Sequence, residues 1–278
     1  MRTSVADIRG MKERKERIPV LTAYDVVTAR IADAAGIPIL LVGDSLGMAV
    51  LGYDTTIPVR LDDVIYHTRA VVRGSEKALV VADMPFMTYH RSVESALENA
   101  GRCVQEGGAQ AVKLEGGTIV AETIRRLVAC GVPVMGHIGL LPQSVNQLGG
   151  FKVQGKTLDQ AKRLLADAAA VEEAGAFSIV LECIPAGLSA LITERLAIPT
   201  IGIGAGPSCD GQVQVVSDIL GWTPEFKPRH AKVYTTLAEV TRDAIGRYAD
   251  EVKSGAFPTS EHGYTIEKSV LEELRKGG

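Results

Sequence analysis

Four times the chain repeats one piece of punctuation, an Ile-Pro or Val-Pro pair that opens a short apolar run: Arg17-Ile18-Pro19-Val20, Gly36-Ile37-Pro38-Ile39, Gly131-Val132-Pro133-Val134 and Ala197-Ile198-Pro199-Thr200. Gly just before such a pair suits the left-handed position past a helix end, and Pro at the first residue of a strand needs no ladder N–H. The mark therefore reads as a helix ending and a strand beginning. All comparable runs together predict eight strands, over 18–22, 39–43, 78–82, 110–114, 132–136, 177–181, 199–203 and 213–217. They are nearly continuously apolar, the pattern of parallel strands buried on both faces. Helical patterns lie between them. Thr157-x-x-Gln160 forms a capping box ahead of Leu158, Ala161, Leu164, Ala168 and Val171, and Val120, Ile124, Leu127 and Val128 repeat the helical period before Gly131. Alternating strands and helices with short joints imply a parallel sheet covered by helices, and eight units favour closure into an α/β (β/α)8 TIM barrel over an open doubly wound sheet. The 278 residues suit that architecture, which takes roughly 250.

No linker, low-complexity tract or change of composition divides residues 18 to 220, so residues 1–278 are expected to form a single barrel domain, with 223–278 as a C-terminal helical appendage. That appendage reads as Pro224, Phe226, Lys227 and Pro228, a helix from about Leu237 to Lys253, then Gly255, Phe257, Pro258 and a charged terminal helix. Thirty Lys+Arg against 33 Asp+Glu give a formal charge of −3, which offers no footprint for a nucleic-acid backbone. The N-terminal charges lead into no apolar signal segment, and the run from Ile37 to Gly52 is broken by Asp44 and shorter than the roughly 20 residues a membrane span needs. A cytoplasmic protein with small-molecule substrates is the expectation. Cys103, Cys130, Cys183 and Cys209 lie far apart with no C-x-x-C pair, and read as reduced, mostly buried thiols.

The polar residues that end the apolar runs carry the functional information. The second run ends Gly43-Asp44-Ser45, the third Ala82-Asp83, the fourth Lys113-Leu114-Glu115, the fifth Gly136-His137 and the sixth Leu181-Glu182. A single Asp after a strand is most often the cap of the next helix. Five successive strands ending in ionisable groups point instead to a site, because barrel active sites lie at the C-terminal strand ends. Asp44, Asp83 and Glu115 offer hard oxygen ligands whose like charges call for a cation, and a Mg²⁺-type ion suits them. No second His stands at ligand spacing from His137, so zinc is disfavoured. Lys113 and Glu115, two apart on a strand, face the same side; they are either an ion pair or a cation for a substrate carboxylate beside a metal-side acid. Glu182 is the candidate general base, His137 a candidate hydrogen-bond partner of substrate oxygen, and Ser45, lacking a His–Asp arrangement, a donor rather than a nucleophile. The G-x-G-x-G of Gly202 to Gly206 follows the seventh run and lacks the third Gly of a dinucleotide fingerprint; it reads as backbone opened for a ligand or a phosphate cradle.

In these segments the chain resembles the ketopantoate hydroxymethyltransferase family. The likeness runs through Leu21-Thr-Ala-Tyr-Asp25, Val42-Gly-Asp-Ser-Leu46, Ala82-Asp-Met-Pro-Phe86 with Tyr89, Val112-Lys-Leu-Glu-Gly-Gly117, Gly136-His-Ile-Gly-Leu140 with Pro142-Gln143, Leu181-Glu-Cys183, and Ile201-Gly-Ile-Gly-Ala-Gly206 with Cys209-Asp-Gly-Gln212. Leu141 and Gln214 depart from the family's usual pattern. The resemblance implies transfer of a hydroxymethyl group from the co-substrate 5,10-methylenetetrahydrofolate to 3-methyl-2-oxobutanoate, giving 2-dehydropantoate and tetrahydrofolate. It further implies Mg²⁺ on Asp44 and Asp83 with Glu115 as a further, water-mediated ligand, and Glu182 removing the C3 proton. Lys113 and Ser45 would hold the substrate carboxylate with His137 near the oxo acid, in a homo-oligomer, a decamer by family resemblance. Two alternatives stand beside this reading. One is a Mg²⁺-dependent 2-oxo-acid lyase or mutase of the phosphoenolpyruvate mutase and isocitrate lyase type, whose lyases use a loop cysteine that has no counterpart here. The other is a non-catalytic barrel binding protein.

Overall fold

The computed structural model describes residues 1–150, 152–223 and 228–277. Eight parallel strands close into a barrel in chain order: β1 (Ile18–Thr22), β2 (Ile39–Val42), β3 (Leu79–Asp83), β4 (Ala111–Glu115), β5 (Val134–Gly139), β6 (Ser178–Glu182), β7 (Thr200–Ile203) and β8 (Gly211–Gln214), with β8 pairing back onto β1. The main helices are α1 (Val5–Glu13), α2 (Val26–Ala34), α3 (Leu61–Gly74), α4 (Val93–Gln105), α5 (Ala121–Ala129), α6 (Leu158–Glu173), α7 (Ala186–Arg195), α8 (Val216–Leu220), α9 (Leu237–Ser254) and α10 (Lys268–Lys276). Six of the first seven strands fall within one residue of their expected bounds; β5, expected at 132–136, begins two residues later and ends three residues later, at Gly139. The eighth is a correction: the expected 213–217 gives way to Gly211–Gln214, and Val216 already opens α8. The valine-rich stretch Val213-Gln214-Val215-Val216 spans the end of one element and the start of the other. Thr22 Oγ1 accepts from Val216 N at 3.0 Å, which binds the start of the helix, rather than a longer strand, to β1.

The capping box ahead of α6 is present, with Gln160 N donating to Thr157 Oγ1 at 3.3 Å. Apolar packing falls into two layers, as alternation along a strand demands. Outward residues such as Leu40, Val80, Val112, Ile179 and Leu181 pack under the helices. Inward residues Ile18, Val20, Ile39, Leu41, Leu79, Val81, Met135, Val180, Ile201 and Val213 fill the barrel.

The sequence reading did not anticipate the stopper at the N-terminal end of the barrel. In α1, capped by Ser4 with Asp7, Ile8 is fully buried and joins the inward layer. Arg2 Nη1 donates to the carbonyl of Ala78 at 2.6 Å, and Lys12 Nζ donates to the carbonyls of Thr193 and Ile198 and pairs with Asp210 at 2.9 Å. These contacts tie both ends of the helix to loops on opposite sides of the barrel floor.

Beyond β8, the expected helical stretch appears as α9 and the charged terminal helix as α10, and neither buries a residue. Of the expected appendage, Pro224 to Lys227 lie outside the described residues. Among the described residues no helix is long and apolar enough to cross a membrane.

Candidate active site

Strand parity and register place the ionisable residues. On β3, β4, β5 and β6 the inward positions that continue Val81, Ala111, Met135 and Val180 toward the C-terminal end are Asp83, Lys113 with Glu115, His137 and Glu182. In-register pairing sets Asp83 beside Lys113 and Glu115 beside His137. Asp44 follows β2 in the turn where its backbone N donates to Asp83 Oδ2 at 3.2 Å. Residues from five strand ends thus meet in one mouth. Gly139 is needed for this closeness: its φ is +101°, and a side chain there would run into the Glu182 carbonyl.

The contacts divide the set into two groups. In the first, Lys113 Nζ lies 2.6 Å from Asp83 Oδ1 and 4.0 Å from Glu115 Oε1, all three side chains being withdrawn from water. The ion pair considered for Lys113 therefore exists, but toward the neighbouring strand. In the second, His137 stands between two carboxylates, with Nε2 3.1 Å from Glu182 Oε2 and Nδ1 3.6 Å from Glu115 Oε1. Neither ring nitrogen makes a well-aligned hydrogen bond, so charge proximity couples the three more than direction does. Glu182, the candidate general base, is linked to Glu115 through this ring.

Burial pushes the Asp44 carboxyl well above the usual range, and the charges of Asp83 and Glu115 push it further. Burial also raises Asp83, although Lys113 opposes it. Burial would lift Glu115 too, but the close approach and charge of His137, with Lys113, bring it below its ordinary value. For His137, burial and Lys113 press the imidazole toward neutrality, and Glu115 and Glu182 outweigh them, so that it is raised to about 9 and is protonated near neutral pH. Burial would likewise lower Lys113, yet Asp83, Glu115 and Asp44 raise it.

Three further side chains reach this mouth. Tyr24 Oη lies 2.8 Å from Ser45 Oγ, and burial raises the phenol to about 12, so it remains a neutral partner for that hydroxyl. Gln143, in the turn after β5, donates from Nε2 to Asp44 Oδ2 at 3.0 Å and from its backbone N to Glu115 Oε2 at 3.1 Å. Tyr89, in the loop after β3, donates to Gln143 Oε1 at 2.7 Å. All three lay in matched segments of the sequence without a role attached. Strand parity could not reach them, because Tyr89 and Gln143 sit on loops and Tyr24 lies beyond the end of β1.

The Gly202 to Gly206 segment is not in this mouth. Gly204 and Gly206 line a cleft of about 1280 Å³ with the outward residues Pro19 and Gln212 and with Arg229 and His230. The cleft lies on the barrel's outer flank, where only residues 204–210, without a helix, join β7 to β8.

The profile of ketopantoate hydroxymethyltransferase matches residues 2–260. The chain belongs to that family. Relatives agree over its whole length: it is 62% identical over 276 residues to the 3-methyl-2-oxobutanoate hydroxymethyltransferase of Dehalococcoides mccartyi, covering 99% of each chain. It is 60% identical over 271 residues to the enzyme of the same name from Chloroflexus aurantiacus, covering 98% of this chain and 96% of that one. The fold is shared more widely. A phosphonopyruvate hydrolase solved with oxalate and Mg²⁺ superposes with a TM-score of 0.60 at 12% identity, covering 99% of this chain and 96% of that one. A 2,3-dimethylmalate lyase of the phosphoenolpyruvate mutase and isocitrate lyase superfamily does so at 0.59 and 16%, covering 100% and 97%. At such identities the likeness is one of barrel architecture. Asp44, Asp83, Lys113, Glu115, His137 and Glu182, at the five strand ends, all lie in the segments that carried the resemblance to the ketopantoate hydroxymethyltransferase family.

Proposed function

We propose that this chain transfers a hydroxymethyl group from 5,10-methylenetetrahydrofolate to 3-methyl-2-oxobutanoate, with water, giving 2-dehydropantoate and tetrahydrofolate. One observation carries the reading beyond family membership: a buried acid pair with a lysine, and a carboxylate 3.1 Å from a buried histidine, open on the same barrel mouth. The first group suits a chelating 2-oxo acid, and the second suits removal of a proton from its C3.

The donor set fits a divalent cation. Asp44 and Asp83 are adjacent and buried, and both carboxyls are raised by their surroundings, so a positive charge between them would relieve what burial imposes. Among the described residues no three His, Cys, Asp or Glu side chains converge on one coordination point. Two adjacent carboxylates are compatible with Mg²⁺, which takes one or two carboxylates and fills its octahedron with water and substrate oxygens. Asp44 and Asp83 would hold the ion, with Glu115, engaged by Gln143 and His137, reached through water. When bound, the ion would withdraw electron density from the oxo acid and lower the cost of an enolate.

The protein's own groups do the rest. Lys113 and the Ser45 hydroxyl, backed by Tyr24, would hold the substrate carboxylate. Glu182 would take the C3 proton as general base. As it does so, the attraction between Glu182 and the His137 cation weakens, which frees the imidazolium to donate toward a substrate oxygen that gains charge. Val81, Met135, Val180 and Ile201 give the inner wall below these groups a largely apolar lining that disfavours water beneath the reacting carbons. Assembly as a homo-oligomer belongs to the same proposal and is supported by Val240, Ile245, Tyr248 and Val252, apolar residues exposed on α9.

Exchange of the C3 proton of 3-methyl-2-oxobutanoate in D₂O, followed by NMR with and without Mg²⁺ and without folate, isolates enolisation. Metal-dependent exchange is expected. If exchange is absent both without and with the folate co-substrate, the proposed base chemistry is wrong.

A further inference from the structure

Two buried side chains, Tyr89 and Gln143, are left without a task in that mechanism, although they are only 2% and 3% exposed beside its carboxylates. Their polar contacts form a chain with one direction. Glu115 N donates to Tyr89 Oη at 3.1 Å, Tyr89 Oη donates to Gln143 Oε1 at 2.7 Å, and Gln143 Nε2 donates to Asp44 Oδ2 and to the Met84 carbonyl, both at 3.0 Å. A backbone N–H can only donate, so the phenol oxygen receives it and turns its own hydrogen toward the amide oxygen. The amide nitrogen must then face Asp44. If the amide were reversed, its oxygen would be set against the Met84 carbonyl and the Asp44 carboxylate, three acceptors with no hydrogen among them.

We infer that Tyr89 and Gln143 are positioning residues that fix which oxygen of Asp44 is offered to the cation. Gln143 occupies Oδ2, so that Oδ1 is the oxygen left for the ion, and Tyr89 acts only by locking the amide. This rests on the reading of Asp44 as a metal ligand given above. Neither residue touches reacting atoms. The backbone N of Gln143, donating to Glu115 Oε2 at 3.1 Å, ties the same residue to the other acid of the mouth. One turn of chain after β5 therefore sets the attitude of carboxylates carried by β4 and by the turn after β2.

The test is a double-mutant cycle read by Mn²⁺ binding, with free ion followed by electron paramagnetic resonance in the presence of 3-methyl-2-oxobutanoate. The full-length proteins are wild type, Tyr89→Phe, Gln143→Met and the double variant, each checked for folding by circular dichroism. Tyr89→Phe should weaken Mn²⁺ binding on the order of tenfold, the scale of one buried hydrogen bond, and Gln143→Met by at least as much. The double variant should bind no more weakly than Gln143→Met, because Tyr89 has nothing left to lock. Wild-type affinity in Tyr89→Phe, or losses that simply add in the double variant, would overturn the inference while leaving the metal site standing. Absence of Mn²⁺ binding by the wild type would overturn the metal reading and this inference with it. If Tyr89→Phe does not fold, Gln143→Met against wild type decides: unchanged affinity there also overturns the inference.

Discussion

Lys113 Nζ lies 2.6 Å from Asp83 Oδ1 on the adjacent strand, and both side chains are almost wholly removed from water. Each ion is buried on account of the other. Lys113→Met should therefore cost stability as well as substrate affinity, about 3–5 kcal/mol, because Asp83 is left charged and unpaired. Urea unfolding measures the first effect and calorimetric titration with 3-methyl-2-oxobutanoate the second. Adding Asp83→Asn should restore most of the stability and none of the affinity. Unchanged substrate binding in Lys113→Met would reduce the lysine to a structural ion pair.

Glu182→Gln keeps the shape of the side chain and removes its basicity. The variant should bind the oxo acid and metal with near-native affinity while C3 proton exchange slows by roughly 10²–10⁴, the range for loss of a general base. Exchange at the native rate would move the base elsewhere, with Glu115, joined to Glu182 through His137, next to test.

Asp83→Ala removes a proposed ligand and the lysine's partner together. Oxo-acid binding should lose its dependence on Mg²⁺, so that titrations with and without the ion coincide. If the difference between the two titrations survives, Asp83 is not a ligand.

Ile8→Ala should leave the active-site chemistry untouched and destabilise the fold by about 2–5 kcal/mol, since the side chain is fully buried against the inward layer of the barrel. Chemical denaturation reads the cost, and proton exchange in the folded protein should be unaltered.

What could be read from the sequence follows the reach of strand periodicity. A two-residue repeat, once the apolar runs were counted, brought Asp83, Lys113, Glu115, His137 and Glu182 to one end of one barrel. It stopped where the chain leaves the strands. Val213, Val215 and Val216 surround a lone Gln214, and such a stretch alone does not say where a strand yields to a helix; the hydroxyl of Thr22, distant in sequence, holds the start of the helix. The roles of Tyr89 and Gln143 depend on loop conformations and on partners from other strands, to which no local pattern points. The floor helix was hidden for a different reason. The charges at its two ends look solvent-facing, yet Arg2 and Lys12 spend them on backbone carbonyls, and Ile8, with Val5 and Met11 partly buried beside it, carries the packing.

That floor helix also makes the barrel, among the described residues, a vessel closed at its N-terminal end. With Ile8 stoppering the N-terminal end, anything that reaches Lys113 enters past the strand C-termini and leaves by the same route. Two reactants sharing one such passage keep a last-in, first-out order. Under the proposed reaction, an oxo acid seated at the depth of Lys113 and Asp83 would have to arrive before a bulky pterin closed over it, and its enlarged product would depart only after the spent carrier had gone.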